Sequence, residues 1–318
     1  MNIFTNKEDI PTKNGFGEGL LEAGKKNNNV LVLGADITGS VGANLFADEF
    51  PERFFSLGIA EENCIGVAAG MAMNNKIPVF ATYGVFSAMR TTDFIRVSVC
   101  YNNLHVVIGG AHAGISVGPD GATHQALEDI AVMRVLPNMT VLSPCDSTQT
   151  KLATIAAIEK VNGPVYVRFG RAPVPNFTSQ TMGYEVGKAQ VLMEGNDVTI
   201  IATGHLVWES LQAARQLSNN GIYAKVINVH TIKPLDHEII LNAARQTGAI
   251  VTAEEHQKTG GLGSAVAEFI VQNYPVPMEF IGMPDCFGES GEPPELMNKY
   301  GMKSRHIVEA AKNVIKKK

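Results

Sequence analysis

The feature that most constrains this chain is a repeated switch between short β-branched runs and longer helical stretches. "NNVLVLGADI" reads as a buried strand ending in a glycine turn, and "AEENCIGVAAGMAMNN" as a helix. "IPVFATYG" is a strand, "FSAMRTTDFIRVSVCYNN" a helix and "LHVVIGGA" a strand again. "HQALEDIAVMRVL", "MTVLSPC", "STQTKLATIAAIEKV" and "PVYVRFG" continue the alternation as helix, strand, helix and strand. Continuous apolar strands separated by helices predict a parallel sheet covered on both faces. In open sheets of this kind ligands lie beyond the carboxyl ends of the strands, so the loops that follow strands are where chemistry is expected.

The rhythm breaks after "PVYVRFG". Prolines, glycines and polar residues mark a linker at 172–184. A second alternating series then runs from "DVTIIATG" through "YAKVINVH" and "AIVTAEEH" to "MEFIGMP" and a last helix near 304–317. The expected organisation is α/β with two domains, 1–171 and a smaller 185–318. A length of 318 residues suits two cores rather than one.

Composition narrows the function classes. The hydrophobic fraction is 45% and the charged fraction 18%, ordinary for a globular chain. A net charge of −5 argues against a nucleic-acid-coating surface, and the basic ending "KNVIKKK" reads as a solvated helix terminus. No apolar run reaches membrane-spanning length, and the polar start "MNIFTNKEDIPTKNG" does not read as a signal peptide. Cys64, Cys100, Cys145 and Cys286 show no paired metal or redox spacing, so a reducing, cytoplasmic setting is expected. Cys64 and Cys100 read as buried small hydrophobes.

Several residues stand out as chemical candidates, each with an ordinary alternative. Glu61 and Glu62 open a helix of small residues, Gly66, Ala68, Ala69, Gly70 and Ala72. Neighbours on a helix lie about 100° apart, so both carboxylates cannot face the same way. Acids favoured by the helix dipole explain either glutamate, but not the small residues that allow close approach of another element. "GGAHAGISVGPDGATHQALED" is a glycine-rich post-strand loop holding His112, Asp120 and His124. One histidine would suggest a structural loop; two and an aspartate suggest a site. Thr123 could cap the helix expected to follow. Tyr83 and Phe86 flank a strand-to-helix junction, either as core or as a platform for a flat ring. Arg168 and Arg171 follow a strand, where arginine suits phosphate or carboxylate, or forms an ion pair. Ser40 sits in a post-strand turn, and "GGLG" near Gly260 only opens a helix.

Together these pieces resemble the C-terminal half of transketolase over essentially the whole chain. The resemblance is carried by "GIAEEN", "GPDGATHQALEDIAVMRVLPNMTVLSPCD", "VINVHTIKPLD" and "FGESGEPPELMNKYG". It implies a pyrimidine-binding domain followed by a transketolase C-terminal domain, in an enzyme dependent on thiamine diphosphate. Glu61 matches the glutamate that hydrogen-bonds the ring nitrogen of the cofactor's aminopyrimidine and so promotes loss of the thiazolium C2 proton. Desolvation strengthens such a hydrogen bond. Tyr83 and Phe86 match aromatics that pack on that ring. Asp120 matches an acid on the donor sugar's hydroxyls, and His124 a histidine near its reacting hydroxyls. His112, Ser40 and Arg171 match groups that hold the sugar and its phosphate. Lys13 falls where many transketolases carry arginine, and a lysine cannot form arginine's planar fork.

The family's magnesium and diphosphate signature, Gly-Asp-Gly with a later asparagine, is absent from this sequence. The resemblance therefore implies one subunit of a split transketolase. A separate N-terminal subunit would supply the Mg2+ and diphosphate ligands, and a heterotetramer is the natural symmetric assembly. The reaction implied is transfer of a two-carbon ketol unit from a ketose phosphate to an aldose phosphate, in the pentose phosphate pathway or a specialised sugar catabolism. The nearest rivals are deoxyxylulose-phosphate synthase and the β subunits of 2-oxoacid dehydrogenases, which share the fold and the glutamate. A non-catalytic regulatory paralogue is a further alternative. A flavodoxin-like nucleotide module is disfavoured because "GADITGS" lacks a GxGxxG pattern.

Overall fold

The computed structural model describes residues 4–318. Residues 1–3, which open the expected first domain, lie outside the described residues. The strands are β1 (Asp9–Pro11), β2 (Val30–Gly34), β3 (Phe54–Ser56), β4 (Ile77–Tyr83), β5 (Val107–Ala111), β6 (Thr140–Leu142) and β7 (Val165–Arg168). They continue as β8 (Pro173–Pro175), β9 (Gln190–Met193), β10 (Val198–Ala202), β11 (Ala224–Asn228), β12 (Thr231–Lys233), β13 (Ile250–Gln257) and β14 (Met278–Met283).

The first sheet has seven strands in the order β12-β6-β7-β5-β4-β2-β3. Strands β2 to β7 pair in parallel, as the alternation predicts. Because successive side chains point to opposite faces, each strand feeds two cores. Val30, Val32, Val79, Val107, Val165 and Val167 pack on one face with Phe16 and Leu20. Leu33, Phe80, Ile108 and Tyr166 pack on the other with Ile65, Ile95 and Ile130. All are buried, and each large side chain of this kind contributes roughly 1.5–3 kcal/mol. The second sheet has five strands in the order β14-β13-β10-β11-β9, parallel except for β9.

Three local features depart from the sequence reading. The second series contributes β12 to the first sheet, antiparallel to β6, so a segment of the second series is hydrogen-bonded into the first sheet. The helix expected from His124 starts at Asp129, and Thr123 does not cap it. Residues 124–128 are held in the preceding loop instead: Gly114 N–H donates to the Ala126 carbonyl, and the Gln125 amide donates to the carbonyls of Ile115 and Glu289. The helical stretch from Val85 to Cys100 is widened by π-type turns at Val85–Arg90 and Ile95–Cys100. Thr91 and Thr92 hydroxyls donate to the Ser87 and Ala88 carbonyls there, which loosens the regular ladder. The "GGLG" stretch does open a helix, Leu262–Asn273, whose first amides are held by the buried Glu254 carboxylate.

Candidate active site

The site gathers at the carboxyl ends of β4 and β5. Their parallel register sets Tyr83 opposite Ala111, so the residues that follow the two strands become neighbours. The Tyr83 and His112 rings stack with centroids 4.1 Å apart. Phe86 lies 6.0 Å from Tyr83, and His124 closes the group at 5.7 Å from Tyr83 and 5.6 Å from Phe86. Tyr83, Phe86 and His124 are half-buried, so the ring cluster keeps an accessible side.

Glu61 answers the question of the paired carboxylates. It begins the helix Glu61–Met73 and is only 2% exposed, whereas Glu62 is half-buried. Its Oε2 accepts a hydrogen bond from Arg90 Nη1 at 2.9 Å. The Arg90 guanidinium lies over the Phe86 ring, 4.4 Å from its centroid. Arg90 therefore joins the buried carboxylate to the ring cluster. Sequence reading missed it; the available signal was a cation four residues beyond Phe86, one helical turn on.

His112 is buried, with a left-handed backbone (φ 52°). Burial, helped by the nearby positive charges of Arg171 and Lys13, pushes its pKa down to about 4, so the ring is neutral near pH 7. Its Nδ1 is buried without a partner among the described residues. Arg171 pairs with Asp120 at 2.9 Å and donates to the Val117 carbonyl, so these two candidates stand together on the rim. Lys13 lies in the first turn of the helix Thr12–Lys26, its N–H bonded to the Gly170 carbonyl beside Arg171. It lines a cavity of about 280 Å³ with Asn14, Gly39, Gly42 and Asn44. Ser40 stands in the same turn as Gly39 and Gly42.

Arg168 is not a ligand-binding group. It is 5% exposed and paired with the fully buried Asp129 at 2.9 Å. Burial opposes its charge, and the Asp129 and Glu255 carboxylates more than offset that. Cys64, Cys100 and Cys145 are buried free thiols, and Cys286 is exposed. Burial raises the thiols of Cys64 and Cys100 to about 11, so both are inert. No helix among the described residues is long and apolar enough to cross a membrane.

Residues 8–176 match the family described as transketolase, pyrimidine binding domain, and residues 187–307 match transketolase, C-terminal domain. The chain belongs to the transketolase family. It is 43% identical over 299 residues to a 6-deoxy-6-sulfo-D-fructose transketolase subunit from Clostridium sp. (strain MSTE9), covering 94% of this chain and 92% of that protein. It is 44% identical over 308 residues to a putative transketolase C-terminal section from Methanocaldococcus jannaschii, covering 96% of each. A solved split gene transketolase, described as an inactive beta4 tetramer, is 46% identical with a TM-score of 0.91, covering 97% of this chain and 99% of that one. Membership implies dependence on thiamine diphosphate and gives the ring cluster a chemical context. A carboxylate held dry, with one oxygen fixed by Arg90, and half-open aromatic rings are chemically compatible with a polar heteroaromatic ring.

Proposed function

We propose that this chain is the C-terminal, pyrimidine-side subunit of a two-chain transketolase. With a separate N-terminal subunit it would transfer a two-carbon ketol unit from a ketose phosphate to an aldose phosphate. The observation that carries the reading is the buried Glu61 carboxylate, tied by Arg90 to the Tyr83–Phe86–His112–His124 rings.

Thiamine diphosphate, when bound, supplies the acidic thiazolium carbon that carries the two-carbon unit. Glu61 would hold the aminopyrimidine ring nitrogen, and Tyr83 and Phe86 would flank the ring. Arg90 fixes one carboxylate oxygen and leaves the other for that contact. His124 would hold or move a proton at the donor's hydroxyl, its Nδ1 engaged by Thr123 Oγ1 at 2.9 Å. His112, neutral near pH 7, would hydrogen-bond a hydroxyl without adding charge, and Asp120 would accept from the sugar. Arg171, Lys13 and Ser40 would face the sugar's anionic end. A cation pair of this kind suits a phosphate or a sulfonate, and the 43% identical relative is named for a sulfonated sugar.

The partner surface has its own support. Gly66, Gly70 and Met73 form an exposed stripe at helical spacing along the Glu61 helix, and Ile59 stands exposed just before the helix begins, with Ile59 74% and Met73 71% exposed. The neighbouring helical stretch, packed on it through Cys64, Ile65, Ile95 and Val99, exposes Phe94, Val97 and Tyr101. Two adjoining apolar stripes beside the buried glutamate fit a protein interface. The partner would bring the Mg2+ and diphosphate ligands.

The test is reconstitution. The purified chain with thiamine diphosphate and Mg2+ should turn over neither ketose phosphates nor 6-deoxy-6-sulfofructose. Adding an N-terminal subunit should restore transfer to an aldose phosphate. Substantial turnover by the chain alone, or activity on pyruvate in place of ketose donors, would overturn the proposal.

A further inference from the structure

The loop from His112 to Glu128 carries three of the candidate residues, yet it leans on the second domain. Glu255, in β13, is 2% exposed and sits beneath the loop's first turn. Its Oε1 accepts the Ser116 N–H at 2.6 Å, and its Oε2 lies 3.1 Å from His205 Nδ1. Its backbone carbonyl accepts from Arg168 Nη2 at 2.8 Å, and the same nitrogen reaches the Ala126 carbonyl at the loop's far end. Ala126 in turn receives the Gly114 N–H at 2.8 Å. Both ends of the loop are thus tied to one residue of the other domain, the first turn to its carboxylate and the far end, through Arg168, to its backbone carbonyl.

The fit is tight enough to dictate residue type. Gly114 has φ +90°, and a Cβ there would run into the Glu255 carboxylate. Further along, Gly118 and Gly121 pack on Pro293 and Ser290, and Gln125 donates to the Glu289 carbonyl at 2.8 Å. Burying a carboxylate costs several kcal/mol unless its oxygens are hydrogen-bonded, so an apolar side chain would be the simpler filler. An apolar residue, however, would leave the Ser116 N–H without an acceptor, at about 1–3 kcal/mol. What the carboxylate gains over simple filling is a fixed backbone position two residues from Gly114 and four from His112. Burial by itself opposes ionisation of Glu255. The hydrogen bond and charge of His205, then Arg168 and Ser116, more than offset it and hold its pKa below the usual carboxylate value.

We infer that Glu255 is a positioning residue: from the second domain it holds the His112–His124 loop in the geometry that presents His112 and its neighbours to substrate. Glu255 touches none of the reacting groups; it acts through Ser116 and Gly114. The word "substrate" rests on the proposed function, whereas the mechanical coupling does not.

The experiment uses the full chain alone, without cofactor, donor or partner, so its outcome is independent of whether the transketolase reading holds. The ring titrations of His112 and His230 are followed by NMR. Both rings are pushed to about 4 chiefly by burial. His112 is faced by Arg171, Lys13, Asp120 and His124, while His230 lies under Tyr184, remote in sequence from the loop, and serves as an internal control. In Glu255→Ala the loosened loop admits water, and the His112 midpoint should rise by one unit or more toward 6.5 while that of His230 stays put. Amide exchange at Ser116 should quicken at least tenfold. Glu255→Gln, whose amide oxygen still accepts from Ser116, should restore both readouts. If Glu255→Ala fails to fold, Glu255→Asp, one methylene too short to reach, takes its place. An unchanged His112 midpoint, or parallel movement of both histidines, would overturn the inference. So would failure of both shortened variants to fold, since Glu255 would then be a folding residue only.

Discussion

Replacing Arg168 with methionine isolates the buried charge pair on which the loop's far end rests. Asp129 is fully buried; its Oδ2 accepts from Arg168 Nε at 2.9 Å and from the Tyr166 hydroxyl at 2.8 Å. Its Oδ1 has no partner among the described residues. At 2.9 Å the pair attracts by on the order of 5 kcal/mol at an effective dielectric of about 20. Most of that offsets desolvation while both partners are present. Removing one partner leaves the other charge buried and uncompensated, which costs about 3–5 kcal/mol. The Ala126 and Glu255 carbonyls lose a donor as well. Against a total stability of roughly 5–15 kcal/mol, Arg168→Met should therefore remove a large share. Adding Asp129→Asn deletes the stranded charge while keeping an acceptor for Tyr166, and should recover on the order of 2 kcal/mol. Urea unfolding followed by circular dichroism measures both variants against the parent chain. A loss under about 1 kcal/mol in the single variant, or a double variant no more stable than the single, would refute the claim that Arg168 serves a buried ion pair.

Three other outcomes are expected. Glu61→Gln in the assembled enzyme should slow hydrogen–deuterium exchange at the thiazolium C2 by roughly 100-fold or more with little change in folding; near-parent exchange would count against the assignment of Glu61. Acid should destabilise the chain through His112 and His230, whose folded pKa values, about 4, lie below the ordinary 6.5. The unfolded chain takes up those protons first, so stability held above pH 6.5 is lost as pH falls toward 4, on the order of 3 kcal/mol per histidine; a flat profile across that window would contradict the burial of both rings. Gly70 is exposed with open space where a Cβ would stand, so Gly70→Leu should leave the isolated chain folded and no less stable. The same substitution should block association with the N-terminal subunit in sedimentation experiments; unimpaired assembly would place the interface elsewhere.

The strand–helix order was readable in the sequence because each element's hydrophobic period is a local property. The same local logic set Tyr83, His112 and Arg171 at strand ends and Glu61 at the start of a small-residue helix. The helix expected at His124 began late because the bond from Gly114 N–H to the Ala126 carbonyl and those from the Gln125 amide to the Ile115 and Glu289 carbonyls compete with helix formation, and Glu289 lies 164 residues away from Gln125. Likewise β12 reads as part of the second series but hydrogen-bonds to β6 of the first. No window of sequence contains either competitor.

What the sequence determined by itself was the inventory: a parallel α/β chain, a carboxylate beside small residues, and two histidines with an aspartate in one post-strand loop. Only the tertiary structure decided which of these meet. The register of β4 on β5 stacked Tyr83 on His112, the widened helix carried Arg90 to Glu61, and the second domain placed Glu255 under the loop. Periodicity is written in neighbouring residues, whereas contacts between strands, helices and domains depend on how whole surfaces pack, which short-range patterns do not encode.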